Sequence, residues 1–368
     1  MGGRGVLRLL NMPMSYLRKN IETMAGYTPG EQPGPDDRVV KLNTNENPYP
    51  PSPRVMEALR QIPPDRLRRY PDPMANKIRD LIADLFGLRR DNILCGNGSD
   101  ELLTLVVRAF VGQGERLAYP TPTYSLYPVL AEIQGAETVE IPTLEDFTLP
   151  IGALKRADAR AMILCNPNAP TGVFVEPKVV GDLAAKFKGV LVVDEAYVDF
   201  APANCMRLAA ERPNVLVLRT LSKSYSLAGL RFGYAVGPAD LISGLAKVKD
   251  SYNVDAVAIE LAAAAIQDQA WMRANVEKIR SERGRLAARL TALGFAVTPS
   301  ESNFLLARPP SAALGAGAGG DAEGWYERLK ARGILVRYWN VPRLADKLRI
   351  TVGMPAENDA LLAAIKAF

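Results

Sequence analysis

The chain has 368 residues, 48% hydrophobic and 23% charged, which gives room for a large core and two domains. Histidine is absent, which excludes Ser-His-Asp and Cys-His catalysis and histidine-based zinc sites, and no apolar run nears the roughly 20 residues that span a bilayer. A formal net charge of +5 suits anionic small ligands, while no Lys/Arg block is dense enough to imply nucleic acid.

Residues 1–44 are rich in Pro, Gly and charge and read as an arm with little core of its own, apart from the apolar stretch 39–42. The first 20 residues carry arginines without a clean apolar h-region, so no signal peptide is expected, and Val6 breaks the myristoylation pattern. NTNENPYPPSP (43–53) is turn-forming throughout, 55–60 a short helix, and LRRYPDP (67–73) another turn. Residues 74–86 have helical spacing closed by Gly87. From residue 92 a βα rhythm sets in. Strand-like runs at 93–95, 117–119, 138–141, 161–165, 190–193, 215–218 and 234–236 alternate with helical patterns at 100–111, 124–133 and 177–187. That rhythm predicts an α/β fold with a mainly parallel central sheet and helices on both faces. A near-continuous helical pattern follows over 256–293, broken near Asp268-Gln269, and then a smaller α+β unit with strands near 304–307, 335–338 and 348–352. PPSAALGAGAGG (309–320) is low-complexity and reads as a mobile surface loop. The expected division is an arm at 1–44, counted with the small domain, a large domain at 45–255 and a small C-terminal domain at 256–368. Cys95, Cys165 and Cys205 form no C-x-x-C pair, and an odd count without a framework suits a reducing cytoplasm.

The chemistry gathers just past strand ends, where open α/β sheets hold ligands. In LRTLSKSYSLAGLRFGY (218–234), Lys223 lies between Ser222 and Ser224, and Arg231 follows a small-residue turn. A lone lysine there is ordinarily solvated, but hydroxyls, an arginine and a glycine turn suit a bound phosphate dianion. A lysine beside a phosphate site suggests covalent attachment of pyridoxal phosphate. GNGSDE (96–101) opens a helix that Ser99 or Asp100 could cap; it lacks the third glycine of the dinucleotide fingerprint and read alone is a capped turn. In PTPTY (120–124), Tyr124 is either a ring-stacking residue or a core aromatic. NPNAPTG (166–172) is a rigid turn, and VVDEAYVDF (192–200) ends an apolar strand in Asp194, with Tyr197 three residues on. A carboxylate so placed needs a partner. A structural Arg or Lys would serve, and so would a protonated pyridine nitrogen. Arg337 and Arg349 sit in short strand-like runs, suited to bidentate capture of carboxylate or phosphate, although a lone arginine is usually solvated surface.

LNTNENPY, RYPDP, GNGSDE, PTY, PNAPTG, DEAYVDF, LRTLSKSYSLAGLRFGY and LRITVG occur in this order between Tyr27 and Gly353. In that set the chain resembles the fold-type I pyridoxal-phosphate-dependent aminotransferases, most closely the branch that acts on histidinol phosphate. The resemblance implies Lys223 as the cofactor's lysine and the base that moves the α-proton, Asp194 on the pyridine nitrogen, Tyr197 on the ring hydroxyl and Tyr124 stacked on the ring. It implies Ser99, Asp100, Ser222 and Arg231 at the cofactor phosphate, joined by Tyr70 from the second subunit of a homodimer. Arg337, Arg349 and Tyr27 would hold the substrate's anionic groups, and no metal is implied. The family usually has an asparagine immediately before Pro-Thr-Gly; here that position is Ala169, with Asn168 before it, so either Asn168 substitutes or Tyr197 holds the hydroxyl alone. The implied activity is transamination between L-histidinol phosphate and 2-oxoglutarate in histidine biosynthesis. The rivals in the same fold are aromatic amino-acid transamination and threonine-phosphate decarboxylation. A Ser222–Lys223 hydrolase pair is a further alternative, set against the tendency of adjacent strand-end side chains to point apart. A DNA-binding regulator on this fold would need more than a 44-residue arm.

Overall fold

The computed structural model describes residues 15–34, 38–310 and 322–368; most of the low-complexity segment 309–320 lies outside these. In chain order the strands are β1 (Val40–Lys41), β2 (Ile93–Gly96), β3 (Arg116–Thr121), β4 (Glu137–Pro142), β5 (Ala161–Cys165), β6 (Val190–Asp194), β7 (Val215–Thr220), β8 (Gly233–Val236), β9 (Ala296–Val297), β10 (Phe304–Arg308), β11 (Ile334–Leu335), β12 (Arg337–Tyr338) and β13 (Leu348–Thr351).

Among the described residues the main sheet has seven strands in the order β2-β8-β7-β6-β5-β3-β4. Only β8 runs antiparallel to its neighbours. β5 and β7 are buried along their whole length, which is why they read as unbroken apolar runs rather than alternating ones. Successive side chains go to opposite faces. Met162 and Leu164 join one apolar core, and Ala161, Ile163 and Cys165 the other. With six strands pointing the same way, their carboxyl ends share one sheet edge, and that edge carries the candidate residues.

The helical pattern at 256–293 is two helices, Ala256–Gln267 and Gln269–Ala292, with Asp268 between them. The first packs on the helices Pro53–Arg60 and Asn76–Phe86, within the large core. This differs from the expected division after residue 255, because an alanine-rich, all-round apolar helix finds its burial against those two helices. The second helix spans both units: Met272, Val276 and Ile279 join the sheet core, Leu286 and Leu290 the small one. The small unit holds an antiparallel sheet in the order β12-β13-β10-β9. The expected single strand at 335–338 divides at buried Val336: β11 pairs with β1, and β12 with β13. Leu42 joins the small unit's core, so this part of the arm belongs structurally to the C-terminal unit. No described helix is long and apolar enough to cross a membrane.

Candidate active site

The strand-end cluster begins where the helix Gly98–Phe110 meets Arg231. The helix starts at Gly98, its N-cap position is Asn97, and no side chain caps it. Ser99 and Asp100 therefore lie inside the first turn and do not cap it. The free N–H groups of that turn, at the positive end of the helix dipole, make a seat for an anion. Gly98 has φ of 82°, and a Cβ there would lie 2.7 Å from the Arg231 guanidinium, so glycine lets the arginine close over the turn. The Arg231 guanidinium donates to Ser222 Oγ (3.4 Å) and pairs with Asp100 (3.3 Å). Thr220 Oγ1 donates to the same Ser222 hydroxyl at 2.9 Å. Sequence reasoning had passed over Thr220.

Lys223 follows, half-buried, its Nζ donating to the Thr44 carbonyl (3.2 Å) and lying 5.7 Å from the Tyr197 ring centre. Burial, seconded by the nearby Arg349 cation, lowers its pKa to about 8, towards the neutral, nucleophilic amine. Asn47 holds the backbone here, its amide donating to the Lys223 and Ser224 carbonyls. The Ser224 hydroxyl donates to Asp199, which also receives Arg219, so this serine belongs to a structural network.

Asp194 is 3% exposed at the end of β6. Its carboxylate accepts from the Tyr127 hydroxyl (2.8 Å) and the Ala196 N–H (3.2 Å). Burial pushes its pKa up to about 6, and among the described residues no cation pairs with it. This is not the buried Asp–Arg or Asp–Lys pair that the sequence left open; nearby Glu195 has that partner, in Arg219 at 2.8 Å. The helix after β3 begins at Leu126 and leaves Tyr124 in the turn before it. Tyr124 faces the cavity, packs edge-on against Tyr127 (5.7 Å) and Tyr27 (5.8 Å), and donates to Asp100 (3.4 Å). The core aromatic is Tyr127, three residues on and fully buried.

A cavity of about 730 Å³ opens beside these groups, lined in part by Tyr27, Tyr124, Ala169, Tyr197, Trp339, Arg337 and Arg349. Arg337 and Arg349 are direct cross-strand partners on β12 and β13. Like charges so placed repel, and among the described residues neither has a carboxylate partner. Arg337 donates to the Pro29 and Thr28 carbonyls of the arm, and Arg349 to the Asn43 carbonyl. Arg349 Nε is buried without a hydrogen-bond partner, and burial with the neighbouring Arg337 cation lowers its pKa to about 10. Two guanidiniums held together in this way suit an anion.

Asn168 is not brought to this site. Its amide donates to the Pro122 carbonyl (3.0 Å) and Thr171 Oγ1 (2.9 Å), and its oxygen accepts from Thr123 (2.8 Å), so it ties the two strand-end loops together while Ala169 lines the cavity. A new partner for Tyr197 appears instead: the Asn45 amide, 3.0 Å from its hydroxyl. No sequence signal joins residues 152 positions apart. Tyr70 stands away from the cavity, 80% exposed and stacked on Tyr252 at 4.5 Å.

The chemistry of this donor set fits pyridoxal phosphate. An uncapped helix turn with Ser222 and Arg231 suits the phosphate, a buried carboxylate lacking a cation suits a protonated pyridine, and a lysine of depressed pKa lies beside both.

Comparison with known proteins gives the same picture. The model of the family "Aminotransferase class I and II" matches residues 37–365. Histidinol-phosphate aminotransferase 1 of Trichormus variabilis is 47% identical over 352 residues, 96% of this chain and 98% of that protein. Histidinol-phosphate aminotransferase of Citrifermentans bemidjiense is 44% identical over 353 residues, again 96% and 98%. Among solved structures, histidinol-phosphate aminotransferase from Sinorhizobium meliloti in complex with pyridoxal-5'-phosphate superposes with a TM-score of 0.84 at 26% identity, covering 97% of this chain and 99% of that one.

Proposed function

The chain belongs to the class I and II aminotransferases and is a pyridoxal-phosphate enzyme, and on that premise we propose that it moves an amino group from L-histidinol phosphate to 2-oxoglutarate, giving imidazole-acetol phosphate and L-glutamate in histidine biosynthesis. The observation that carries the substrate assignment is the Arg337–Arg349 pair, two cations without acidic partners facing a cavity beside Lys223. A guanidinium fork takes phosphate or carboxylate alike, which one pocket must do to serve both an amino phosphate and glutamate.

Pyridoxal phosphate, when bound, supplies the electron sink that lets a substrate α-proton leave. Ser99, Asp100, Ser222 and Arg231 would hold its phosphate end, and Tyr124 would pack on its ring. Asp194 would pair with the ring nitrogen and Tyr197 would donate to the ring hydroxyl. Lys223 Nζ takes up and returns the α-proton, and its pKa near 8 keeps the neutral amine within reach at physiological pH. Burial of Tyr124 and Tyr197 raises both phenol pKa values and keeps them protonated as donors.

Side-by-side kinetics of the two half-reactions test this reading, with phenylalanine and phosphothreonine as competitors. Tyr27 lies on the arm at the cavity edge, 39% exposed. Tyr27→Phe should weaken histidinol phosphate by about 0.5–3 kcal/mol, a charge-assisted hydrogen bond at most, and leave glutamate nearly unchanged. Faster turnover of phenylalanine, or carbon dioxide release from phosphothreonine, rules out histidinol phosphate as the substrate and leaves the cofactor assignment in place.

The working unit in this reading is a homodimer in the cytoplasm, where three free, buried thiols are at home. Exposed Tyr70 and Tyr252, with Met56, Leu59 and Leu67 nearby in sequence, offer apolar surface to a second copy. Tyr70, far from its own cavity, would then reach the partner's phosphate seat. Sedimentation of the loaded enzyme should show a dimer at working concentration; a fully active monomer refutes the shared site.

A further inference from the structure

Asn45 is the best-held polar residue near the reacting groups that has no assigned role. It is 1% exposed with φ of 57°, a left-handed conformation that asparagine tolerates better than most residues. All of its polar groups are engaged. Its backbone N–H donates to Thr351 Oγ1 (3.0 Å), and its carbonyl accepts from Asn303 Nδ2 (3.0 Å). The Thr351 hydroxyl, already accepting from that N–H, has its own hydrogen free for Asn45 Oδ1, 3.0 Å away. The amide is thereby oriented, with its oxygen towards Thr351 and its NH₂ towards the Tyr197 hydroxyl at 3.0 Å. A hydroxyl that accepts from an amide on one side directs its own proton elsewhere.

We infer that Asn45 is a positioning residue that aims the Tyr197 hydroxyl proton at the cofactor's ring oxygen, at the point where Ala169 offers only a methyl group. The inference rests on the pyridoxal-phosphate reading above. Thr351 lies two residues beyond Arg349 on β13, so one strand supports both the substrate's anion site and the cofactor's hydroxyl donor. The groups around Tyr197 are Arg349 on β13, Asp194 at the end of β6, Cys165 on β5, Lys223 over the ring face and Phe304 edge-on at 5.1 Å. Of these only Arg349 and Lys223 are basic; Lys223 donates to the Thr44 carbonyl and Arg349 to the Asn43 carbonyl, and the Tyr197 hydroxyl accepts from Asn45.

The readout is the visible absorbance of the loaded protein titrated with pH. A hydroxyl donating to the ring oxygen stabilises its negative charge, so the chromophore gives up its proton at lower pH. Asn45→Ala should move the midpoint up by about one pH unit, a tenfold gain in proton affinity. Asn45→Asp is the sharper variant. It keeps the shape and the Thr351 bond but turns an acceptor towards Tyr197, which should recapture the hydroxyl proton and raise the midpoint at least as far. In a Tyr197→Phe background Asn45→Ala should add nothing, whereas Asn45→Asp keeps the direct Coulomb effect of its carboxylate. With either variant kcat should fall while KM for the amino donor holds. An Asn45→Asp protein titrating at the wild-type midpoint overturns the inference, and so does an Asn45→Ala displacement that persists without Tyr197. Should both variants fail to fold, Thr351→Val, which frees the amide to rotate, must still raise the midpoint, and an unmoved one is equally fatal. A wild-type protein that shows no visible band with pyridoxal phosphate is a separate result and refutes the cofactor reading itself.

Discussion

Lys223→Ala should abolish transamination while the purified protein keeps its fold and still takes up pyridoxal phosphate through the remaining contacts. Truncation removes the Lys223 amine beside the strand-end cluster and leaves Ser222, Arg231 and the uncapped helix turn, which suit the phosphate, intact. Little stability is at stake, because a cation with a pKa of about 8 in the fold, against 10.5 unperturbed, is held in its charged form at a cost. The sign gives a second readout. With its folded pKa depressed, the amine is neutral above about pH 8, so the rate at which it captures added pyridoxal phosphate should climb through that pH and not through 10.5. Borohydride reduction of the loaded wild type should fix the label to a single peptide containing Lys223. A labelled peptide with any other lysine, or retained turnover in the alanine variant, overturns the assignment.

Asp194→Asn should cost about a thousandfold in rate. A carboxylate about 4 Å from a protonated ring nitrogen gains roughly 4 kcal/mol at an effective dielectric near 20, and each 1.36 kcal/mol is a factor of ten in rate. The amide keeps the size and can keep the Tyr127 and Ala196 contacts, so the fold has no reason to change. Stability should move the other way. Burial raises the folded pKa of Asp194 to about 6, above the unperturbed 3.8, so this group's contribution is full below about 4 and is lost as pH rises through 6. At neutral pH the cofactor-free protein carries a buried charge without a cation, and replacing it with a neutral amide should raise Tm. A variant with near-normal turnover, or with a lower Tm, would make Asp194 a structural carboxylate.

The parts of this enzyme that the sequence made legible are those whose signal is local. β5 and β7 were visible as unbroken apolar runs, and the break at Asp268 as a polar interruption of helical spacing. Lys223, Asp194 and Tyr124 could be singled out because strand ends in an α/β sheet are where ligands bind, and a strand end can be read from the residues around it. What escaped was long-range. Asn45 and Thr351 meet across 306 positions, and the pairing of β1 with β11 joins the arm to the far end of the chain. Neither contact changes the local pattern at either partner. Asn168 misled for a related reason: a polar residue in a functional turn looks the same whether it faces the ligand or clasps the neighbouring loop. The misplaced boundary at 255 has another cause. Helix spacing shows that a face is buried and does not show against what.

The pairing of β1 with β11 also bears on how the chain is made. The arm's apolar segment leaves the ribosome early and stays without its partner strand until residues 334–335 have followed. The βα sheet is complete long before, once β8 has come to lie between β2 and β7. A nascent chain that has passed residue 236 therefore carries the whole main sheet and the phosphate seat, yet has no arginine pair for a substrate's anion and no Thr351 to orient Asn45. On the reading proposed above, Lys223 and Asp194 come before both the arginine pair and the Thr351 support of Asn45, so an incompletely synthesised chain would lack the groups that choose its amino donor.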